Sequence, residues 1–343
     1  MTMLPPRYAD WLTDLLGGTL PEEQAATCSR CAMQGEAVAE GYRFRADAKC
    51  CTYVPALANF LVGAALRELP PGPALASLEL RLTALANCTP HGLDVGEAER
   101  VAYQAVVASE SFGRDPSLRC PHYLHEQGGL CGIWRHRNGV CATWFCKHDR
   151  GAAGQRFWQA VEAMLTAIER ELCHWCACQL LYNEAPTPAE GDDESLPEWA
   201  AWLPRRREYY VRAAALVDEL SWAEVQVIGG AELAELAGRV RAAYAEIRPI
   251  AGARAEGLVP LRRPPAVLVT GAVKLAQRGP ERSRVVSYSD SDALDLPSEL
   301  VELLPRFDGR ATEVVLAELA GEGVVLTPDL VARLVDFAVL REP

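Results

Sequence analysis

Cysteine is the residue type in this sequence best suited to chemistry, and its placement is uneven. The chain has 343 residues and twelve cysteines, none of which follows Cys178. Eight of them lie in segments with glycine, proline and charged residues, where packing gives little reason for a small apolar thiol. These eight are Cys28, Cys31, Cys50, Cys51, Cys120, Cys131, Cys141 and Cys146.

The spacing of these cysteines favours metal binding over disulfide formation. Cys28 and Cys31 form a CxxC pair, which lets two thiolates reach one metal ion from a single turn. Thiolates are soft ligands that select zinc and iron–sulfur centres over magnesium or calcium. Cys50 and Cys51 are adjacent, and neighbouring cysteines bridge each other only with strain. We therefore predict that all eight cysteines are metal ligands.

The division of the ligands between sites stays open at this point. Eight thiolates suit two four-cysteine sites, with the first four in one site and the last four in the other, but mixed divisions fit equally well. Further candidate ligands are Cys173, Cys176, Cys178 and His148. Positions 173 and 176 share a helix face, so these two cysteines could instead fill gaps in a core. His148 could instead be a hydrogen-bonded structural histidine.

The order of the motifs resembles that of a known family. The chain reads Cys28-x-x-Cys31, Cys50-Cys51, Cys120-Pro121, Gly129-Leu130-Cys131-Gly132-Ile133-Trp134, then Cys141 and Cys146. This order resembles the YkgJ-type cysteine-cluster family, which is described as a zinc- or iron-chelating domain. The resemblance covers about residues 28–150. It departs from the family in the long interval between the CxxC and the adjacent pair, and in Arg137-Asn138-Gly139 where many members have arginine–proline.

The resemblance implies that the cofactor is an iron–sulfur cluster, or alternatively zinc. Redox or group-transfer activity and a purely structural metal in a binding module are both open, and no catalytic residue is assigned. We find no Walker loop, dinucleotide-binding glycine motif, HExxH motif or glycine-framed serine nucleophile. Metal is therefore the visible source of chemistry in this sequence.

The net charge of −12 argues against non-specific nucleic-acid binding, which needs a basic surface, and against docking on anionic lipid. The apolar runs are shorter than the ~20 residues of a membrane helix, and the start of the chain has no signal-peptide pattern. We therefore expect a cytoplasmic protein with no nucleic-acid or membrane partner. In the cytoplasm thiols stay reduced, which again favours metal binding.

The periodicity predicts an α+β protein that is mostly α-helical. We expect a cysteine-cluster domain over residues 1–183, with helices such as Pro6–Leu16 separated by loops and short strands such as Val140–Phe145. Asn59 lies on a predicted helix directly after the adjacent cysteines, and we expect it to face solvent rather than to orient the loop. The acidic, proline-bearing segment Glu184–Pro197 is typical of a linker, and with a helical hairpin it completes a second region over residues 184–258.

Residues 259–343 are predicted to form a small winged-helix-like domain. Two strands are followed by three short helices, Ser298–Phe307, Thr312–Ala320 and Pro328–Phe337. This region resembles the PqqD-like winged helix, through Val267-Leu268-Val269, Val285-Val286, Leu296-Pro297 and Asp308-Gly309-Arg310. The resemblance implies a strand edge that accepts a peptide or protein partner. A structural winged helix is the alternative, and the third helix lacks the basic face that DNA binding needs.

Overall fold

A computed structural model describes residues 4–24, 27–35, 38, 40–183, 198–255 and 263–343. The protein is α+β and mostly helical, with small antiparallel sheets, as the sequence predicts. The predicted linker Glu184–Pro197 lies outside the described residues. Within the described part of the chain, no helix combines the length and the apolar character needed to cross a membrane.

The chain divides into two compact units. The first contains Met1–Leu20, Thr27–Trp144 and Ala160–Arg241, and the second contains Pro21–Ala26, Phe145–Gln159 and Ala242–Pro343. The units therefore interleave along the sequence, whereas the domains expected from the sequence were consecutive. Most of the expected helical hairpin belongs to the first unit, and residues 145–159 belong to the second.

The helices and short strands that contribute residues to the first unit are α1 (Pro6–Leu16), β1 (Leu57–Ala58), α2 (Asn59–Glu68), α3 (Pro73–Thr83), β2 (Cys88–Thr89), β3 (Gly92–Leu93), α4 (Glu97–Ala108), β4 (Tyr123–Leu124), β5 (Leu130–Cys131), α5 (Gly139–Thr143), α6 (Gly151–Cys178), α7 (Glu198–Trp202), α8 (Arg206–Asp218) and α9 (Trp222–Ala255). The strands form a three-stranded sheet in the order β1-β3-β2 and a separate β4–β5 hairpin.

Helices α2 and α8 pack closely against each other in the first unit. A Cβ atom added at Gly63 would lie 1.8 Å from the backbone oxygen of Tyr210, so the two helices touch along their backbones. Asn59 begins α2 and is completely buried, which contradicts the expected surface position. Its Nδ2 donates to the carbonyl oxygens of Pro90 and Cys173, both at 2.9 Å, and so ties α2 to the β2–β3 turn and to α6.

One predicted strand is wrong. A strand was expected over Val140–Phe145, but residues 140–143 belong to helix α5, which ends at Thr143. The reason is local: Asn138 precedes the helix, and its Oδ1 accepts a hydrogen bond from the backbone N–H of Cys141 at 3.0 Å. This is the usual way in which an asparagine side chain caps the start of a helix.

The second unit also contains β6 (Val267–Thr270), β7 (Lys274–Gln277), β8 (Arg282–Val286), β9 (Leu294–Pro297), α10 (Ser298–Leu303), β10 (Asp308–Ala311), α11 (Thr312–Gly321), α12 (Pro328–Asp336) and β11 (Leu340–Arg341). The strands form two antiparallel sheets, β10-β6-β11 and β7-β8-β9. The three short helices begin at the predicted residues, but the first ends at Leu303 and not at Phe307. Only two strands were predicted in this region, and its described residues contain six. Leu268, Val315 and Phe307 are among the side chains of the core of this unit.

Candidate metal centre

Six of the eight predicted ligands line one cavity in the first unit, whose volume is about 120 Å³. The six are Cys28, Cys50, Cys51, Cys120, Cys131 and Cys141. They come from four separate stretches of sequence: a loop near the N-terminus, the loop before β1, the β4–β5 hairpin region and helix α5. Only tertiary folding brings these stretches together.

Backbone hydrogen bonds fix the loops that carry these cysteines. The N–H of Cys120 donates to the carbonyl oxygen of Cys51 at 2.8 Å, which joins two of the stretches directly. In the hairpin, Tyr123 pairs with Cys131, and the N–H of Gly132 donates to the carbonyl of His122 at 2.8 Å. The cysteine positions are thus set by main-chain pairing and not by side-chain packing alone.

Helix α6 also fixes the position of α5, the helix that carries Cys141. The carboxylate of Glu169 accepts hydrogen bonds from the N–H of Gly139, at the start of α5, and from the hydroxyl of Tyr8. An acceptor at the first turn satisfies an N–H that has no partner within the helix. Burial raises the pKa of Glu169 to about 7.

Of the six cavity cysteines, Cys120 is buried and the other five are half-buried. Burial raises the pKa values of Cys120, Cys131 and Cys141, and a hydrogen bond with Cys50 followed by burial raises the pKa of Cys28. A raised pKa favours the neutral form of the thiol. A bound metal ion supplies positive charge and deprotonates its thiol ligands.

The remaining wall of the cavity is mainly apolar and aromatic. It includes Tyr53, Tyr103, Phe112, Trp134 and Trp144. Tyr53 and Tyr103 meet edge to face with their ring centres 5.2 Å apart, and Phe112 contacts Trp144 at 5.1 Å. Such a wall limits the access of water to the thiols, which strengthens electrostatic interactions inside the cavity.

His122 also lines the cavity but is engaged by other groups. Its Nδ1 lies 2.9 Å from the hydroxyl of Ser77, and its Nε2 lies 3.4 Å from a guanidinium nitrogen of Arg81. Burial lowers its pKa to about 3, so the imidazole is neutral near pH 7. These contacts fit a structural histidine.

No protein-family model, curated protein or solved structure matches the chain. The resemblances to the YkgJ-type and PqqD-like families therefore rest on the motifs quoted above. The geometry of the residues is the remaining basis for a functional conclusion.

The other predicted ligands lie elsewhere. Cys31 is outside the described lining of the cavity, although its thiol interacts electrostatically with Cys28 and Lys49. Cys146 and His148 belong to the second unit. There the imidazole Nδ1 of His148 lies 3.4 Å from the hydroxyl oxygen of Tyr288.

The three cysteines on α6 have local partners. The thiol of Cys173 donates to the carbonyl of Arg170 at 3.2 Å, and that of buried Cys176 to the carbonyl of Ala213 at 3.6 Å. The sulfur of Cys178 lies 3.7 Å from Nε2 of His174. None of the three is part of the described cavity wall, so their contacts favour packing over ligation.

Within the described residues, no group of three or more His, Cys, Asp or Glu side chains is arranged to hold a metal ion. The six thiols thus surround a void and do not converge on one point. Two cationic residues at this site, Lys49 and Arg137, were not identified from the sequence. The adjacency of Lys49 to Cys50 was the available signal, but sequence does not reveal its burial.

Proposed function

We propose that the chain is a metal-binding protein whose first unit holds an iron–sulfur cluster, with zinc as the alternative, through the cysteines of this cavity. The observation that carries the proposal is that six thiols from four distant stretches line one cavity. Isolated buried cysteines pack as small hydrophobes and have no reason to gather in this way. Reduced thiols that do gather are the usual environment of a soft metal.

The size of the cavity supports the cluster over a single zinc ion. The volume of the cavity is about 120 Å³. Four thiolates around one zinc ion lie at about 2.3 Å from it and leave no such void. A cluster of several iron and sulfide ions occupies space between its ligands, and four cysteines commonly hold it.

The first experiment is anaerobic purification of the full chain with measurement of iron, sulfide, zinc and the visible spectrum. We expect stoichiometric iron and sulfide with broad visible absorption. Cys131→Ala should lose most of the iron and the absorption. Cys88→Ala is the matched control, because Cys88 is buried but hydrogen-bonds to the carbonyls of Leu82 and Ala84, outside the described wall of the cavity.

Colourless protein with zinc alone would reject the iron version, and anaerobic protein with neither metal would reject the proposal. A redox titration then distinguishes a redox-active metal centre from a purely structural one. A reversible potential supports electron transfer or another redox role. Loss of fold on chelation without any redox change supports a structural metal.

One observation favours a second function, the binding of a peptide or protein partner by the second unit. Strand β9 is an edge of the β7-β8-β9 sheet, and it lines a cavity of about 780 Å³ together with residues of α12. An edge strand offers unpaired main-chain groups to an extended peptide. Lys147, Arg282 and Arg333 also line this cavity together with Asp149, Asp292 and Asp295, so a peptide would meet charges of both signs.

Selection of random peptides on the immobilised full chain tests this second function. An enriched peptide should bind more weakly to Arg333→Glu than to the wild type. Lys274→Glu is a control with the same charge change on exposed β7, outside the described wall of this cavity. Absence of enrichment, or equal effects of both substitutions, would argue against the edge of β9 as the binding surface.

A further inference from the structure

Lys49 is a buried cation beside the thiol cavity. Lys49 is only 7% exposed. The Nζ atom donates to three backbone carbonyls, those of Cys28 at 2.8 Å, Gly128 at 3.1 Å and Gly129 at 2.8 Å. Among the described residues, Lys49 forms no ion pair with a carboxylate. Its hydrogen-bond partners there are all neutral.

A second buried cation, Arg137, is part of the cavity wall itself and is also 7% exposed. Its guanidinium lies over the ring of Trp134 at 3.5 Å from the ring centre. Its Nε donates to the carbonyl of Trp134 at 3.1 Å, and its Nη1 donates to the carbonyl of Cys141 at 2.9 Å. The two cations therefore stand at different parts of the same site, each fixed by main-chain contacts.

Neutral thiols do not explain the burial of Lys49. Removing a charge from water costs several kcal/mol, and neutral carbonyls do not neutralise the charge. Lysine is almost never this buried unless it is paired with opposite charge. Lys49 is not part of the described cavity wall, but its Nζ atom binds the backbone of Cys28, which is, so the cavity is the nearby place where an opposite charge can lie.

We infer that the cavity holds a centre of net negative charge, and that Lys49 and Arg137 are the countercharges that retain it. This inference rests on the proposed function. Four thiolates carry four negative charges, which exceed the two positive charges of a zinc ion or of an oxidised four-iron cluster core. A neutral apolar occupant would leave Lys49 without an opposite charge, so the site selects thiolate-rich metal centres.

The electrostatics of the thiols agree with this arrangement. Arg137 opposes the pKa rise that burial causes at Cys131 and Cys141. At Cys28, both Arg137 and Lys49 oppose the rise. Lys49 also connects two of the stretches that meet at the cavity, because it binds the carbonyls of Cys28 and of the Gly128–Gly129 turn.

The test measures metal affinity in the reduced, metal-free full chain, with Co²⁺ as the probe because its thiolate complexes absorb visible light. Variants are Lys49→Gln, Lys49→Arg and Arg137→Gln. Residues just outside the ligand shell typically contribute about 10- to 100-fold to metal affinity. We expect Lys49→Gln and Arg137→Gln each to weaken Co²⁺ binding by about this factor, and Lys49→Arg to restore most of it.

The control is Lys274→Gln, which removes a lysine from exposed strand β7 of the second unit and should leave Co²⁺ binding unchanged. Melting of the metal-free variants separates charge from simple structural support. We expect metal-free Lys49→Gln to melt at or above the wild-type temperature, since the uncompensated charge is gone. If iron is bound, the same variant should also have a lower midpoint potential, because the lost positive charge favoured the more negative, reduced cluster.

Wild-type affinity in both glutamine variants would overturn the inference while leaving the proposed function intact. A metal-free Lys49→Gln chain that melts far below the wild type would make Lys49 a structural link, and this too would overturn its assigned role. In that case the Co²⁺ affinity of Arg137→Gln still tests the role of Arg137 independently. A wild-type chain that binds neither Co²⁺ nor iron would instead reject the proposed function itself.

Discussion

Glu23 provides a test of the second unit through pH. Its side chain is 3% exposed, and its Oε1 accepts a hydrogen bond from the indole N–H of Trp158 at 2.7 Å. The other carboxylate oxygen accepts from the backbone N–H of Asp149. Burial outweighs these two donors and raises the pKa of Glu23 from 4.5 to about 7, with smaller contributions from the charges of Asp149 and Asp292.

Because the pKa of Glu23 is raised in the folded chain, the stability of the protein depends on pH in a defined direction. The folded chain binds the proton of Glu23 more tightly than the unfolded chain does, so stability falls as pH rises from about 4.5 to about 7. At about 1.4 kcal/mol per pH unit, the shift corresponds to about 3 kcal/mol in total. Below this range the group is protonated in both states, and above it the loss is complete.

The perturbation is Glu23→Gln, which removes the titration. Urea unfolding at several pH values from 5 to 8 gives the free energy of unfolding of both proteins. We expect the variant to gain about 2 to 3 kcal/mol relative to the wild type across this range. Glu22→Gln is the control, since Glu22 is exposed and makes the same charge change. A difference between wild type and Glu23→Gln that stays constant with pH would refute the reasoning.

Three further predictions concern stability measured by urea unfolding. Asn59→Ala should cost about 2 kcal/mol, because two buried carbonyls lose their donor and each hydrogen bond contributes about 1 kcal/mol; no loss would mean that water replaces the amide. Gly63→Ala should cost about 1–3 kcal/mol, since the added methyl group would overlap the backbone of Tyr210; Gly238→Ala, with open space around its Cβ, is the control. Arg150→Met should cost about 3–5 kcal/mol, because it breaks the buried ion pair between Arg150 and Asp336 of α12. A loss of stability no larger than that caused by substituting an exposed arginine would contradict this.

The sequence alone determined those features that depend on neighbouring residues. Helix α1 begins with Pro6 in its first turn and ends before Gly17, which adopts the left-handed conformation, so its bounds were predictable. The three short helices near the C-terminus were equally clear from their apolar spacing. The cysteine-rich character of the first half also follows from composition and spacing, and the prediction of metal binding needs nothing more than these two features.

The tertiary structure decided which cysteines share a cavity and what surrounds them. Spacing along the chain does not reveal that Cys28 and Cys141 line the same cavity. Hydrogen bonds between distant loops bring the two residues to it. Burial is equally a property of the whole fold: Lys49 and Asn59 look like ordinary surface residues in the sequence, yet both are buried and bind backbone carbonyls far along the chain. Long-range main-chain pairing, which local patterns cannot specify, therefore determines the charge and the shape of the site.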